Sequence, residues 1–207
     1  MPSSENFSKR NLVALVDSGE EFISRQEAII SGALREIHLQ SYIFESDQTG
    51  LRIVQALKEA AKSKELKIYI LVDAYGSQNF SATLRKELLD AGIKFRRFGK
   101  FYSSGSFHIG RRLHQKIIVA DGEVAMVGGF NISDKYTSQP GSPAWLDFAV
   151  QVNGEAARRL LLICRKKWMK TSFKVFPKKL REGIVTNPQN TQMVRVKASQ
   201  NDYINRK

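Results

Sequence analysis

Apolar residues recur about every 3.6 positions through Phe22, Ile23, Ile29, Ile30 and Leu34, which predicts an amphipathic helix as the first element. Ile37-His38-Leu39-Gln40-Ser41-Tyr42-Ile43-Phe44 then carries β-forming residues in rough alternation and predicts a strand ending in the polar Glu45-Ser46-Asp47 turn. Gly50 opens a second helix bearing Ile53, Val54, Leu57 and Ala61. The run Ile68-Tyr69-Ile70-Leu71-Val72, closed by Asp73, has the length of a strand buried on both faces. A third helix carries Leu84, Leu88 and Leu89 to a stop at Gly92, and a third strand covers Ile93 to Phe98. Helices alternating with strands in this way predict an α/β fold, with a mostly parallel or mixed sheet and helices on both faces.

Beyond Phe98 the pattern changes. Gly99 to Gly110 is rich in glycine, serine and aromatic residues without a period, and reads as a mobile loop. Two apolar segments follow, Lys116 to Ala120 and Glu123 to Val127, joined by Asp121-Gly122, a strong hairpin signal. A strand from Leu146 to Val152 and a helix from Glu155 to Lys170 complete a single folded unit, residues 1–170. Residues 171–192, with prolines and many lysines, read as a basic linker. Met193-Val194-Arg195-Val196 begins like a strand, so 193–207 reads as the start of a further, truncated unit.

The hairpin carries the chemistry. With Asp121 and Gly122 as the two central turn residues, Ala120 pairs with Glu123, Lys116 with Val127 and His114 with Gly129. His114, Lys116, Gly129 and Asn131 then share one face, and Ile117, Val119, Val124 and Met126 share the other. A nucleophile, a cation and an amide donor gather around a residue without a side chain, which leaves room for a ligand. Attack on a phosphate diester needs such a set: imidazole attacks phosphorus, and Lys116 and Asn131 hold the non-bridging oxygens as charge develops. Taken singly, His114 also fits a hydrogen-bonded strand histidine and Lys116 a surface lysine. Asp121 belongs in this turn for conformational reasons alone.

Composition narrows the setting. The single cysteine, Cys164, allows no internal disulfide and suits a reducing, cytosolic compartment. Met1 to Glu20 lacks the apolar run of a signal peptide or membrane anchor. The net charge of +13 is concentrated in two stretches free of acidic residues, between Asp90 and Asp121 and between Glu155 and Glu182. Such fields attract polyanions, either nucleic acid or the anionic face of a bilayer. A merely solubilising surface is the plainer alternative.

His114-x-Lys116-x4-Asp121 followed by Gly128-Gly129-x-Asn131 resembles the HKD motif of the phospholipase D superfamily. Ser41-Tyr42-Ile43-Phe44 with Asp47 and Gly50, Val72-Asp73-Ala74-Tyr75-Gly76-Ser77 and Trp145-Leu146-Asp147 resemble bacterial cardiolipin synthases, especially those without amino-terminal membrane helices. The likeness runs from about Glu20 to Val152. It implies a phospholipase D-like fold and phosphatidyl transfer between phospholipids through a phosphohistidine. His114, Lys116 and Asp121 then match the catalytic motif, and Gly128, Gly129 and Asn131 the phosphate-binding segment. The substrate implied is an anionic, phosphatidylglycerol-like phospholipid, met at the cytoplasmic membrane surface by a peripherally associated protein, with no metal or cofactor. The basic helix at Arg158 to Lys170 and the aromatic residues Phe101, Tyr102 and Phe107 are expected to face lipid.

Sites of this superfamily use two motif histidines, and this chain has one motif. His38 reads as a packing histidine, and His108 falls in the loop. The second motif is expected either from a missing half of a longer chain, which the tail favours, or from a homodimer mate. Hydrolysis of phospholipids, nucleic-acid cleavage as a homodimer and a non-catalytic polyanion-binding module are the competing functions.

Overall fold

In the computed structural model, residues 7–99, 112–138, 141–171 and 193–198 are described below. Their elements run β1 (Ser8–Val16), α1 (Gly19–Ser31), β2 (Glu36–Ser41), α2 (Gln48–Ala60), β3 (Lys67–Asp73), α3 (Ala82–Asp90), β4 (Lys94–Phe98), β5 (Ile117–Ala120), β6 (Val124–Gly128), β7 (Ala149–Gly154), α4 (Glu155–Lys170) and β8 (Val194–Val196). The strands form one sheet in the order β4-β3-β2-β5-β6-β7-β1-β8. Parallel pairing is confined to β2 with β3 and β3 with β4, and the remaining pairs are antiparallel, so the sheet is mixed.

Local sequence explains the helices. Ser18 caps α1 by accepting the Glu21 N–H, and Asp47 caps α2 by accepting the Gly50 N–H. Phe22, Ile23 and Ile30 of α1, Ile53 and Leu57 of α2 and Leu84 and Leu88 of α3 pack on Ile37, Leu39, Ile68 and Ile70 of the sheet. Each such side chain contributes roughly 1.5–3 kcal/mol through its burial. The opposite face carries α4, whose Ala157, Leu161 and Cys164 pack on Ile117, Val119, Ala125 and Val152. Helices thus lie on both faces.

Three features differ from the sequence reading. The first element is the strand β1, not the helix; its pairing with β7 leaves Val13 and Leu15 exposed. Val194–Val196, read as the start of a further unit, pairs with β1 along the edge of this sheet. The hairpin register is shifted by one: Ala120 pairs with Val124, Val119 with Ala125, Ile118 with Met126 and Ile117 with Val127. Asp121 and Gly122 do have the positive φ expected of the turn, at 56° and 70°, and the Glu123 N–H donates to the Ala120 carbonyl. Glu123 is the extra residue, its carbonyl taken by the Gly154 N–H. Consequently Ile117 and Val119 face α4, whereas Val124 and Met126 face the α1–α3 side with Ile118 and Ala120. The loop and linker readings fall on 100–111 and 172–192, outside the described residues.

Candidate active site

The site lies where the carboxyl ends of β2 and β3 meet the extended segment that enters β5. Leu113 anchors that segment: its side chain is buried with Leu71 and Trp168, and its N–H donates to Asp73 Oδ2 at 2.7 Å. His114 follows and is exposed. The Tyr42 ring flanks its imidazole, with centroids 5.3 Å apart and a tilt of 45°. Lys116 is buried, and its ammonium donates to the His114 carbonyl at 3.3 Å while lying 5.3 Å from the Tyr42 ring centroid. His114 and Lys116 are therefore brought together, as expected of residues two apart on an extended chain.

Electrostatics favour a neutral imidazole. Partial burial lowers the His114 pKa, the Lys116 charge lowers it further, and Asp73 opposes both. Burial also lowers the Lys116 pKa, against which the Asp147 carboxylate acts to keep the ammonium charged. An exposed, unprotonated histidine beside a desolvated cation can attack phosphorus while the cation stabilises charge on the phosphoryl oxygens.

The other motif residues hold different places. Asp121 lies at the far end of β5, about 16 Å from Lys116 at the rise of an extended strand. There its carboxylate accepts the backbone N–H groups of Leu34, Arg35 and Glu36, all at 2.8 Å. It fixes the α1–β2 connection and does not reach the His114 site. Asn131 is buried: its Oδ1 accepts the Ile43 N–H at 3.0 Å, and its Nδ2 donates to the Tyr136 hydroxyl at 2.6 Å. One amide hydrogen of Asn131 is left over from these contacts.

Gly128 and Gly129 do not leave room for a ligand. A Cβ on Gly128 would overlap the backbone at Phe148 and Ala149, and one on Gly129 would overlap the Asp147 carboxylate. Their N–H groups are also engaged, Gly128 with the Lys116 carbonyl and Gly129 with the Phe148 carbonyl. Both glycines let the segment before β7 approach the hairpin, which places Asp147 near Lys116.

Tyr42, Asp73 and Asp147 are site residues to which the sequence reading gave no role. The available signal was positional: Tyr42 and Asp73 follow or end adjacent parallel strands, the ends at which open α/β sheets build their sites. His38 is buried beneath α4, stacked on Tyr69, away from His114. His108 and the aromatic residues Phe101, Tyr102 and Phe107 lie outside the described residues. Trp145, Leu146 and Phe148 expose 58%, 80% and 50% of their surface on either side of Asp147. Arg112 lies over the Tyr75 ring, 4.5 Å from its centroid. Among the described residues, no helix is long and apolar enough to cross a membrane.

A mixed sheet with this hairpin and histidine–lysine pair defines a phospholipase D-like domain. The family described as cardiolipin synthase, PLD-like domain, matches residues 27–142, and the chain belongs to it. Cardiolipin synthase 1 of Bacillus cereus is 29% identical over 165 residues, covering 79% of this chain and 32% of that protein. The phospholipase D family member Nuc of Salmonella typhimurium superposes with a TM-score of 0.57 at 20% identity, covering 77% of this chain and 95% of that one. The phosphatidylserine synthase of Haemophilus influenzae gives a TM-score of 0.61 at 14% identity, covering 76% and 38%. The chain spans about a third of the length of the curated cardiolipin synthases it matches.

Proposed function

We propose that this chain supplies one of two histidine motifs in a phosphatidyl-transferring site of the cardiolipin synthase type. The observation that carries the reading is the exposed His114 beside the buried Lys116, in a domain of the cardiolipin synthase family. An imidazole nitrogen of His114 attacks the phosphorus of a phosphatidylglycerol-like lipid. The bond to the head-group oxygen breaks, and that alcohol leaves with a proton from an acid, giving a phosphohistidine. The hydroxyl of a second lipid then attacks phosphorus and gives its proton to the same group, now a base; the P–N bond breaks and His114 is restored. Lys116 stabilises charge on the phosphoryl oxygens in both steps, and the scheme calls for no metal or cofactor.

Among the described residues no second imidazole stands beside His114. The acid and base come from a second motif-bearing half, in a longer chain or a second copy. An exposed apolar strip beside α4, formed by Val13, Leu15, Phe148 and Val150, supports such a partner. It continues directly from Asp147, so a domain seated there stands next to the site. The basic residues of α4 and the exposed Trp145 and Leu146 favour peripheral contact with an anionic, cytoplasmic bilayer surface.

Light scattering combined with an assay on phosphatidylglycerol vesicles tests this. The expected result is an assembly that forms a diphosphatidyl product and free glycerol, with His114→Asn inactive. Cleavage of DNA or RNA lost in the same variant, with no lipid turnover, would replace this reading with the phosphodiesterase one.

A further inference from the structure

Asp73 sits at the end of β3 and is fully buried, yet every contact of its carboxylate points toward the chain around the site. Oδ1 accepts the Tyr75 and Gly76 N–H groups, both at 3.0 Å, which folds the chain into a tight turn. Oδ2 accepts the Leu113 N–H at 2.7 Å, and Arg112 Nη1 lies 3.9 Å from Oδ1. The Asp73 carbonyl accepts the Ser77 N–H, and the Ser77 hydroxyl donates to the Tyr42 carbonyl and accepts the Phe44 N–H, each at 3.0 Å. One turn therefore grips Leu113, which precedes His114, and Tyr42, whose ring lies against the imidazole.

Such a brace is needed because His114 lies outside the sheet. The ladder to β2 begins with Ile117 on Gln40, and the hairpin bond nearest the site joins the Gly128 N–H to the Lys116 carbonyl. Residues 112–114 must be held by other means, and the carboxylate and the buried Leu113 side chain hold them.

We propose that Asp73 is the positioning residue of His114, setting the imidazole against Tyr42 and Lys116 through its bond to the Leu113 amide and through its negative charge. The role rests on His114 as the reactive group, but its test does not depend on turnover. The charged groups acting on the imidazole are Lys116 and Asp73, with the Tyr42 ring on its flank and Arg112 beside Asp73.

The test is NMR titration of the His114 imidazole, with hydrogen exchange of the Leu113 amide, in the 207-residue chain and two variants. Asp73→Asn removes the charge and turns one of the two accepting oxygens into an NH2 donor at nearly constant shape. Asp121→Asn is the control, since that carboxylate also accepts three backbone amides but at the far end of β5. Asp73→Asn is expected to move the His114 titration to lower pH and to speed Leu113 exchange about tenfold or more. Asp121→Asn is expected to change neither. A folded Asp73→Asn with both properties intact overturns the proposal, as does an equal effect from Asp121→Asn. Should Asp73→Asn not fold, the unaltered chain still decides. Leu113 exchange as slow as that of β5 amides supports the brace, and exchange at the rate of a free loop overturns it. Failure to transfer phosphatidyl groups would strike the proposed function and leave this result standing.

Discussion

Asp121 binds Arg35 twice: its Oδ1 accepts the Arg35 backbone N–H at 2.8 Å, and its main-chain carbonyl accepts Arg35 Nη2 at 3.1 Å. The motif aspartate thus ties the hairpin tip to the start of β2. Asp121→Ala leaves three backbone donors without their carboxylate and is expected to lower stability by about 1–3 kcal/mol in urea unfolding. His114 reactivity per folded molecule stays unchanged. A fully stable Asp121→Ala with a dead His114 would return this residue to the chemistry.

The adjacent glycines separate in the same kind of experiment. Gly128→Ala drives a methyl into the β7 backbone, which cannot move aside without breaking the ladder, so a loss of about 1–3 kcal/mol or more is expected. Gly129→Ala meets a side-chain carboxylate, which can rotate away at lower cost. The price is paid at Lys116: losing the nearby Asp147 charge lowers its pKa further, visible in an NMR titration of the ammonium.

Acid sensitivity is expected from the half-buried Glu36 and the buried His38 beneath α4. Burial raises the Glu36 pKa, but His38 and Arg165 outweigh it and hold the carboxyl down to about 2. Its contribution is complete above the unfolded value near 4.5 and is lost as pH falls toward about 2. The His38 pKa is lowered chiefly by burial, against the pull of Glu36, although Nε2 stands 3.4 Å from that carboxylate. Unfolded His38 takes up a proton below about 6.5 while the folded one resists, so stability again falls on acidification. Thermal melts should therefore decline from pH 7 to pH 5, and His38→Gln should flatten that part of the profile.

Local signals account for what was legible in the sequence. The helices α2 and α4 follow apolar periodicity, and His114 with Lys116 share a neighbourhood because extended chains repeat every two residues. What was missed depends on distant partners. Glu123 becomes an extra hairpin residue because Gly154 takes its carbonyl, and nothing within the hairpin announces that. The space over Gly129 is filled by Asp147, which arrives from the segment before β7. In β1, Val13 and Leu15 are exposed, so the alternation there lacked the buried partner face that marks a strand.

The central claim is that His114 is a nucleophile toward phosphodiesters, and trapping it covalently tests that most directly. A diester with a p-nitrophenolate leaving group needs little acid assistance, so one motif can suffice for the first step. A burst of nitrophenolate and a phosphoryl adduct on the peptide containing His114 are expected. His114→Asn should form no adduct, and Lys116→Met should slow formation about tenfold or more. An adduct that persists in His114→Asn, or no adduct in the unaltered chain under conditions where it is folded, would contradict it.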